Sequence, residues 1–262
     1  MSHFKFYSAP FTISHAVIAP PLAKLSRNTL PIAALAIGSM TPDLYRLFTM
    51  QSGMLTHQWK GLFYPNLALG LLFCVIWYLL YRPVVYRFFG IQHDLKLDSF
   101  RHFFSFFIGI IIALLIGIAT HLIWDGLTHS DFRTFIFQDF LSQTVHLFGR
   151  PYPLHRLLQL GSSALALPFL GWMSIHYYQR HKQHWKVNYK IKIFAWCLFA
   201  LSTLLGLFSF WDYARYIPHE VWHSDTYYFT GRSINEFMQG WLSTFSLGCL
   251  LFLFLDRQQR MA

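Results

Sequence analysis

Five apolar runs, each long enough to cross a lipid bilayer, constrain this chain more than any other feature. A helix needs about 20 mostly apolar residues to cross roughly 30 Å of hydrocarbon. Of the 262 residues, 55% are hydrophobic and only 12% are charged, which leaves too little polar surface for a soluble domain. We therefore predict an all-α, polytopic membrane helical bundle with about five transmembrane helices, at about 62–81, 103–124, 154–176, 191–211 and 236–255.

The segment 30–50, "LPIAALAIGSMTPDLYRLFTM", differs from these runs because its apolar half is only about ten residues long. We expect it to be re-entrant or interfacial. Within it, Thr41 as an N-cap, Pro42 at the first helical position and Asp43 in the first turn would start a helix. That reading is compatible with a further role for the Asp43 carboxylate.

We expect residues 1–262 to form a single integral membrane domain. An N-terminal helical segment (1–61) would contribute to the functional site. The core spans (62–176) and two further spans (177–262) would follow it. Ser14, His15 and the Pro20–Pro21 pair interrupt any apolar core of a signal peptide, so we expect the N-terminal residues to remain in the mature protein.

The formal charge of +10 would suggest nucleic-acid binding in a soluble protein, but here the basic residues cluster between apolar runs, where they orient a chain in the bilayer. We therefore expect no nucleic-acid partner. Eleven of the 21 Lys and Arg residues lie in segments 82–101 and 179–192 and in the C-terminal tail. The positive-inside rule places these segments in the cytoplasm. Residues 1–61 and the end of the second span then lie on the opposite, non-cytoplasmic side.

Polar residues able to bind a metal collect on that opposite side. In "HLIWDGLTH", His121, Asp125 and His129 recur every four residues, so on a continuous helix they would project from one stripe. His15, Asp43 and His57 precede the first span and lie on the same predicted face. Imidazole and carboxylate groups without cysteine fit a catalytic zinc site better than a structural one. The alternative for His121 and Asp125 is an intrahelical hydrogen bond between them.

A second pattern competes with this set. "HEVWH", residues 219–223, matches the H-E-x-x-H signature, in which two His bind zinc and the Glu acts as general base. That chemistry requires a well-formed helix, whereas Pro218 precedes the motif and a β-branched and aromatic stretch follows it. A self-contained peptidase site, or a second metal position that uses His219, Glu220 or His223, stays an alternative.

Several motifs resemble a bacterial membrane family described as domain-of-unknown-function family 4184. They are "PFTISH", "PIAALAIGSMTPD", "THQWKGLF", "HLIWDGLTH" and "LLQLGSS". In its ligand order that family is similar to zinc-dependent phospholipase C and to predicted membrane-bound metal-dependent hydrolases. The resemblance implies a bacterial inner-membrane protein in which one or two ions, most simply Zn²⁺, bind at Asp43, His57, His121 and Asp125. Asp125 would bridge towards a second position near His15, and His129 would belong to that position.

These observations predict a membrane-embedded metal-dependent hydrolase, with the lipid bilayer as its surroundings and a lipid or amphiphilic phosphoester as its substrate at the non-cytoplasmic face. Asp43 and Asp125 are the expected catalytic carboxylates, because a carboxylate can hold or deprotonate the attacking water. Lys60, Arg150 and Arg156 are candidates for orienting an anionic phosphate; ordinary interfacial snorkelling is the alternative, and it is the simpler explanation of these three residues.

The rival class is a transporter or accessory protein in which the same residues form an ion pathway. The centres of all five spans are almost purely apolar, and this favours a site at the membrane face.

Overall fold

The structure is a computed structural model that describes residues 12–49, 54–184 and 186–258. Over these residues the chain is predominantly helical with very little strand, which confirms the predicted fold class. The α-helices are α1 (Ala19–Leu25), α2 (Ile32–Leu44), α3 (Ala68–Ile76), α4 (Arg82–Phe89), α5 (Phe100–Thr128), α6 (Gln138–Leu141), α7 (Leu154–His181), α8 (Tyr189–Ala214), α9 (His219–Ser224) and α10 (Thr226–Arg257).

Five helical stretches are long and apolar enough to span a membrane, as predicted. They run over Trp59–Phe89, Phe100–Thr128, Leu154–His181, Tyr189–Ala214 and Tyr228–Arg257. Because consecutive spans cross in opposite directions, the start of the first span, the end of the second and the start of the third lie at one end of the bundle. The end of the fourth span and the start of the fifth lie there too. We call this end the site end.

The first span is composite. It joins a 3₁₀ turn (Trp59–Gly61), a π-helical stretch (Leu62–Leu67), α3, a second π-helical stretch (Trp77–Tyr81) and α4. Its backbone leaves helical geometry at Tyr64, the residue before Pro65, where the proline ring disfavours the helical conformation. The segment that precedes the first span folds back against the site end of the bundle.

The N-terminal segment forms a 3₁₀ helix (Thr12–Ile18), α1 and α2, followed by a 3₁₀ turn (Tyr45–Leu47). Helix α2 has 13 residues and is therefore about 20 Å long, too short to cross the hydrocarbon. It packs along α5 at very close range: a Cβ added to Gly38 would lie 2.5 Å from the Leu114 carbonyl oxygen, and one added to Gly117 would lie 2.5 Å from that of Leu35. Glycine is thus required at both positions.

The alternative interpretation, in which Thr41, Pro42 and Asp43 start a helix, is wrong. Helix α2 begins at Ile32, directly after Pro31, and the three residues form its last turn. The Thr41 hydroxyl donates to the Ile37 carbonyl at 2.7 Å, so it bonds backwards along the helix and does not cap a new one. The tertiary contact with α5 outweighs the local capping pattern.

The connections at the site end carry the remaining elements. After α5, the chain forms α6 and an antiparallel hairpin of β1 (Thr144–Leu147) and β2 (Arg150–Pro153). Helix α9 occupies the connection between α8 and α10. The stretch "HEVWH" is therefore helical, which the sequence left uncertain, but α9 is only six residues long.

Candidate metal centre

Three separate chain segments bring His and Asp side chains together at the site end. The last turn of α2 supplies Asp43, the segment before the first span supplies His57, and α5 supplies His121 and Asp125. The two α5 residues are four positions apart and so share one face of the helix. All four side chains are buried, and His121 is only 1% exposed.

The ligand atoms of these residues are close enough to share an ion. His57 Nε2 lies 3.1 Å from Asp43 Oδ1 and 3.7 Å from Asp125 Oδ2, and His121 Nε2 lies 3.4 Å from Asp125 Oδ2. Asp43, His57 and His121 form one group whose ligand atoms all lie within 4.8 Å of one another; His15, His121 and Asp125 form another.

His121 belongs to both groups. The hydrogen bond made by its Nδ1 determines whether its Nε2 is available to bind a metal. Its Nδ1–H donates to the backbone carbonyl of Ser39 at 2.8 Å, so in the neutral ring the lone pair is on Nε2. One lone pair binds one ion, so the two groups fit two halves of a single centre better than two separate centres. A hydrogen bond of this kind is what orients most metal-binding histidines.

Two polar atoms in the cluster are buried without a hydrogen-bond partner among the described residues. They are His121 Nε2 and Asp43 Oδ2. Leaving a buried polar atom unpaired costs about 1–3 kcal/mol, so such atoms in a folded protein commonly mark a bound ion, a water molecule or a catalytic role.

The segment that carries His57 is fixed by its own contacts. His57 Nδ1 lies 3.0 Å from the Thr56 hydroxyl, and the Asn66 side chain donates to the Thr56 carbonyl at 2.7 Å. A Cβ on Gly61 would lie 2.1 Å from the Leu55 carbonyl oxygen, so glycine allows the chain to turn tightly there before the first span. His57 is therefore held at the cluster by the turn beneath it.

His15 lies against His121, with ring centroids 4.1 Å apart and a stacked geometry. The neighbouring Ser14 hydroxyl donates to that of Ser163 at 3.2 Å, which ties this N-terminal segment to α7. Burial, reinforced by the nearby His121, lowers the pKa of His15 to about 3. The ring is then neutral at pH 7, the form in which histidine binds a metal.

Burial also lowers the pKa of His57, so its ring favours the neutral form as well. For Asp43, burial alone would raise the pKa, but the hydrogen bond with His57 and the nearby His121 and Arg46 outweigh burial. The pKa of Asp43 is therefore held well below its usual range. Neutral imidazoles and an ionised carboxylate are the protonation states that ligation requires.

Two arginines contact the carboxylates, and neither of them was among the predicted site residues. Arg46 Nη1 lies 3.6 Å from Asp43 Oδ1, and Arg133 Nη1 lies 3.3 Å from Asp125 Oδ2. Arg133 is also held by Asp131, through Nε at 2.9 Å and Nη2 at 2.5 Å. The spacing of Arg46 and Asp43 on consecutive helical turns could have predicted their contact. The contact of Arg133 with Asp125 could not be predicted in this way, because it requires the loop after α5 to fold back onto that helix.

The remaining predicted site residues lie less centrally. Helix α5 ends at Thr128, so His129 is not on the helical stripe; its Nδ1 lies 3.1 Å from the Asp125 carbonyl oxygen and 3.5 Å from Asp125 Oδ1. Burial lowers the pKa of His129 to about 4. Although it contacts Asp125, it belongs to neither three-ligand group. The three expected phosphate-binding residues, Lys60, Arg150 and Arg156, are exposed.

The H-E-x-x-H residues do not form a comparable site. His219, Glu220 and His223 are all exposed on α9. Within the described parts of the chain, none of them belongs to a group of three potential ligands. The His219 ring instead packs beside Trp222, with centroids 4.7 Å apart.

The fold and the cluster together define a polytopic helical membrane protein with a buried His/Asp centre at one end of its bundle. The chain belongs to the family described as Domain of unknown function (DUF4184), whose family model matches residues 9–256. No curated protein and no solved structure matches the chain.

Proposed function

We propose that this protein is a membrane-embedded metal-dependent hydrolase that acts on a phosphoester of a lipid or another amphiphile. The observation that carries the proposal is the convergence of Asp43, His57, His121 and Asp125 from three chain segments. Capping or a local hydrogen bond explains a single His–Asp pair on one helix, but neither explains a buried set drawn from three segments that includes two unpaired atoms.

The donor set favours Zn²⁺. Imidazole nitrogen and carboxylate oxygen without thiolate is the ligand chemistry of catalytic zinc sites, whereas Mg²⁺ and Ca²⁺ prefer oxygen alone. The single free lone pair of His121 supports one ion between Asp43, His57, His121 and Asp125. A second ion would need Asp125 as a bridge, with His15 and His129 as its other ligands.

A divalent ion bound here would activate water for attack and polarise the substrate. The chain's own residues supply the rest of the chemistry. Asp43 Oδ2 is free to accept a hydrogen bond from the attacking water and so to orient it, and the hydrogen bond from His121 to Ser39 holds the imidazole in place.

The charges of the site favour an anionic substrate. With the imidazoles in the neutral form that binds a metal, Asp43, Asp125 and Asp131 would carry three negative charges against the two positive charges of Arg46 and Arg133. A divalent ion turns this excess of one negative charge into an excess of one positive charge. A phosphodiester anion would balance it, and the resemblance in ligand order to zinc-dependent phospholipase C points to the same class of substrate.

We also propose that the site end faces away from the cytoplasm of a bacterial inner membrane. The opposite end of the bundle, made of the connections after α4 and between α7 and α8 together with the helix ends that flank them, holds most of the clustered Lys and Arg residues. By the positive-inside rule that end is cytoplasmic. The substrate would then be drawn from the outer leaflet.

The test is metal content and phosphodiester hydrolysis of the purified protein in detergent, compared with an Asp125→Asn variant. Asp98→Asn is the matched control, because Asp98 pairs with His102 four residues later at the other end of α5 but is exposed. We expect Asp125→Asn to lose both metal and hydrolysis, and Asp98→Asn to keep both. Equal metal content in the wild type and Asp125→Asn would refute the proposal.

A further inference from the structure

A cavity of about 350 Å³ opens between α8 and α10, apart from the metal centre. Its volume falls at the lower end of the range of about 300–1,000 Å³ that is typical of ligand pockets. The lining is predominantly aromatic and aliphatic and includes two hydroxyl groups. The lining residues are Phe210, Phe229, Thr230, Ser233, Ile234 and Phe237.

The inner end of the cavity is closed by an unusually close contact between the two helices. A Cβ added to Gly240 would lie 2.8 Å from the Leu205 carbonyl oxygen, and one added to Gly206 would lie 2.8 Å from the Phe237 ring. Glycine at these two positions lets the backbones touch. Towards the site end, Phe210 of α8 and Phe229 and Phe237 of α10 line the cavity.

Ser233 is the feature that distinguishes this cavity from an ordinary gap between membrane helices. Its hydroxyl is buried, lines the cavity and has no hydrogen-bond partner among the described residues. Two other hydroxyls of α10 donate to backbone carbonyls one turn earlier. Thr244 donates to the Gly240 carbonyl at 2.8 Å, and Ser246 donates to the Leu242 carbonyl at 2.6 Å. The Ser233 hydroxyl is thus available to a ligand.

The cavity lies near the ends of two candidate spans, and near the end of a span the polar and apolar parts of a bilayer lipid meet. Its residues belong to the last turns of α8 and the first turns of α10, at the same end of the bundle as the metal centre. Helix α10 also packs against the turn Tyr45–Leu47, which directly follows α2 and carries Arg46. A ligand seated in this cavity would therefore occupy the leaflet adjacent to the metal centre.

We propose that the cavity binds an acyl chain of an ester lipid, with the Ser233 hydroxyl donating to the ester carbonyl and the chain lying between the Phe side chains. An apolar slot with one unpaired donor matches an acyl ester, whose carbonyl accepts a hydrogen bond and whose chain does not. As a subsite for the lipid substrate, this inference rests on the proposed function; as a lipid-binding site, it can be measured without any hydrolysis.

The experiment uses the full-length protein in lipid nanodiscs that contain a phosphatidylglycerol with a diazirine in one ester-linked acyl chain. After illumination, peptide mapping locates the adducts. We expect them to concentrate on the cavity residues of α8 and α10. Adducts spread evenly over the lipid-facing surfaces of all five spans would overturn the proposal, and this result needs no variant to fold.

Two variants sharpen the test. Ile234→Trp fills the cavity and is expected to lower its adduct yield about tenfold, since apolar contact with several methylene groups is lost. Leu247→Trp is the control, because Leu247 is an exposed apolar residue of the same helix outside the cavity. Ser233→Ala should weaken labelling by the ester lipid and leave labelling by the ether-linked analogue unchanged. An equal yield from Ile234→Trp and Leu247→Trp would contradict the proposal.

Asp125→Asn separates this inference from the proposed function. The variant should keep the adducts in the cavity, because Asp125 does not line it. Cavity adducts in a wild-type protein that binds no metal and hydrolyses no phosphodiester would support the lipid site and refute the hydrolase. Hydrolysis of a long-chain lipid by a protein that shows no cavity adducts would support the hydrolase and refute the lipid site.

Discussion

The Nδ1–H of His121 donates a hydrogen bond to the carbonyl oxygen of Ser39, 82 positions earlier in the chain, at 2.8 Å. This contact joins α5 to α2, fixes the tautomer of the imidazole and leaves Nε2 facing Asp125. It links the packing of the two helices to the chemistry of the centre. If the bond is lost, both the orientation of the ligand and the fit of α2 against α5 should suffer.

His121 and Asp125 should act as a unit. Removing even a supporting partner of a metal ligand costs about 10–100-fold in metal affinity, so His121→Ala and Asp125→Ala should each cost at least that much. Because the first loss already disables the centre, the double variant should bind metal little worse than either single variant. Metal titration of the three variants measures this.

The control for these variants is His102→Ala, which removes an exposed histidine near the other end of α5 and should leave metal binding unchanged. Independent, multiplicative losses in the double variant would mean that His121 and Asp125 have separate structural roles.

Gly38→Ala should damage the site without touching a ligand. The new Cβ would meet the Leu114 carbonyl at 2.5 Å and push α2 away from α5. We expect a cost of about 1–3 kcal/mol in stability, and weaker metal binding because Asp43 and His121 sit on the two separated helices. Thermal unfolding and metal titration in the same detergent provide the measurements.

Gly161→Ala is the control for that substitution, since a Cβ added there, in α7, meets no atom within 4 Å. If Gly38→Ala retained both its melting temperature and its metal affinity, the close packing of α2 on α5 would not be what assembles the centre.

Arg133 should matter more for hydrolysis than Arg150. The Arg133 guanidinium is buried beside Asp125 and oriented by Asp131, whereas Arg150 is exposed on β2. A hydrogen bond to a charged group is worth about 1.5–3 kcal/mol, so Arg133→Gln should lower kcat/KM for a phosphodiester by about ten- to hundredfold. Arg150→Gln should change it less than about twofold. Comparable losses of kcat/KM in both variants would indicate that the exposed residues also bind the phosphate.

The orientation of the protein follows from its two ends. In a variant without native cysteines, Lys60→Cys should react with a membrane-impermeant maleimide on intact cells, and Lys186→Cys only after lysis. The reason is that Lys60 starts the first span at the site end, while Lys186 lies in the basic connection between α7 and α8. The reverse labelling pattern would place the centre in the cytoplasm.

Local patterns in the sequence predicted the spans well, because the length and hydropathy of a helix such as α5 are properties of consecutive residues. The same holds for the pairing of His121 with Asp125, which follows from their spacing on one helix. That both lie beside His57 and Asp43 was expected from the shared membrane face, and the structure brings them together. Their role as metal ligands stays a prediction.

Features that depend on tertiary contacts could not be read from the sequence. The capping pattern at Thr41 predicted the wrong end of a helix, because close packing at Gly38 sets the course of α2. The role of Arg133 depends on a loop that folds back onto α5, with the Phe135 ring lying where a Cβ of Gly126 would be. The partnership between Arg133 and Asp125 therefore has no short-range signature.

The central claim is that the buried cluster, and not the exposed H-E-x-x-H motif, is the catalytic centre. The most direct test measures bound metal and phosphodiester hydrolysis for Asp43→Ala and Glu220→Gln, purified side by side in one detergent. We predict that Asp43→Ala loses its metal and its activity, while Glu220→Gln keeps both. An Asp43→Ala protein that retained metal and activity, beside a metal-replete but inactive Glu220→Gln protein, would contradict this account and assign catalysis to α9.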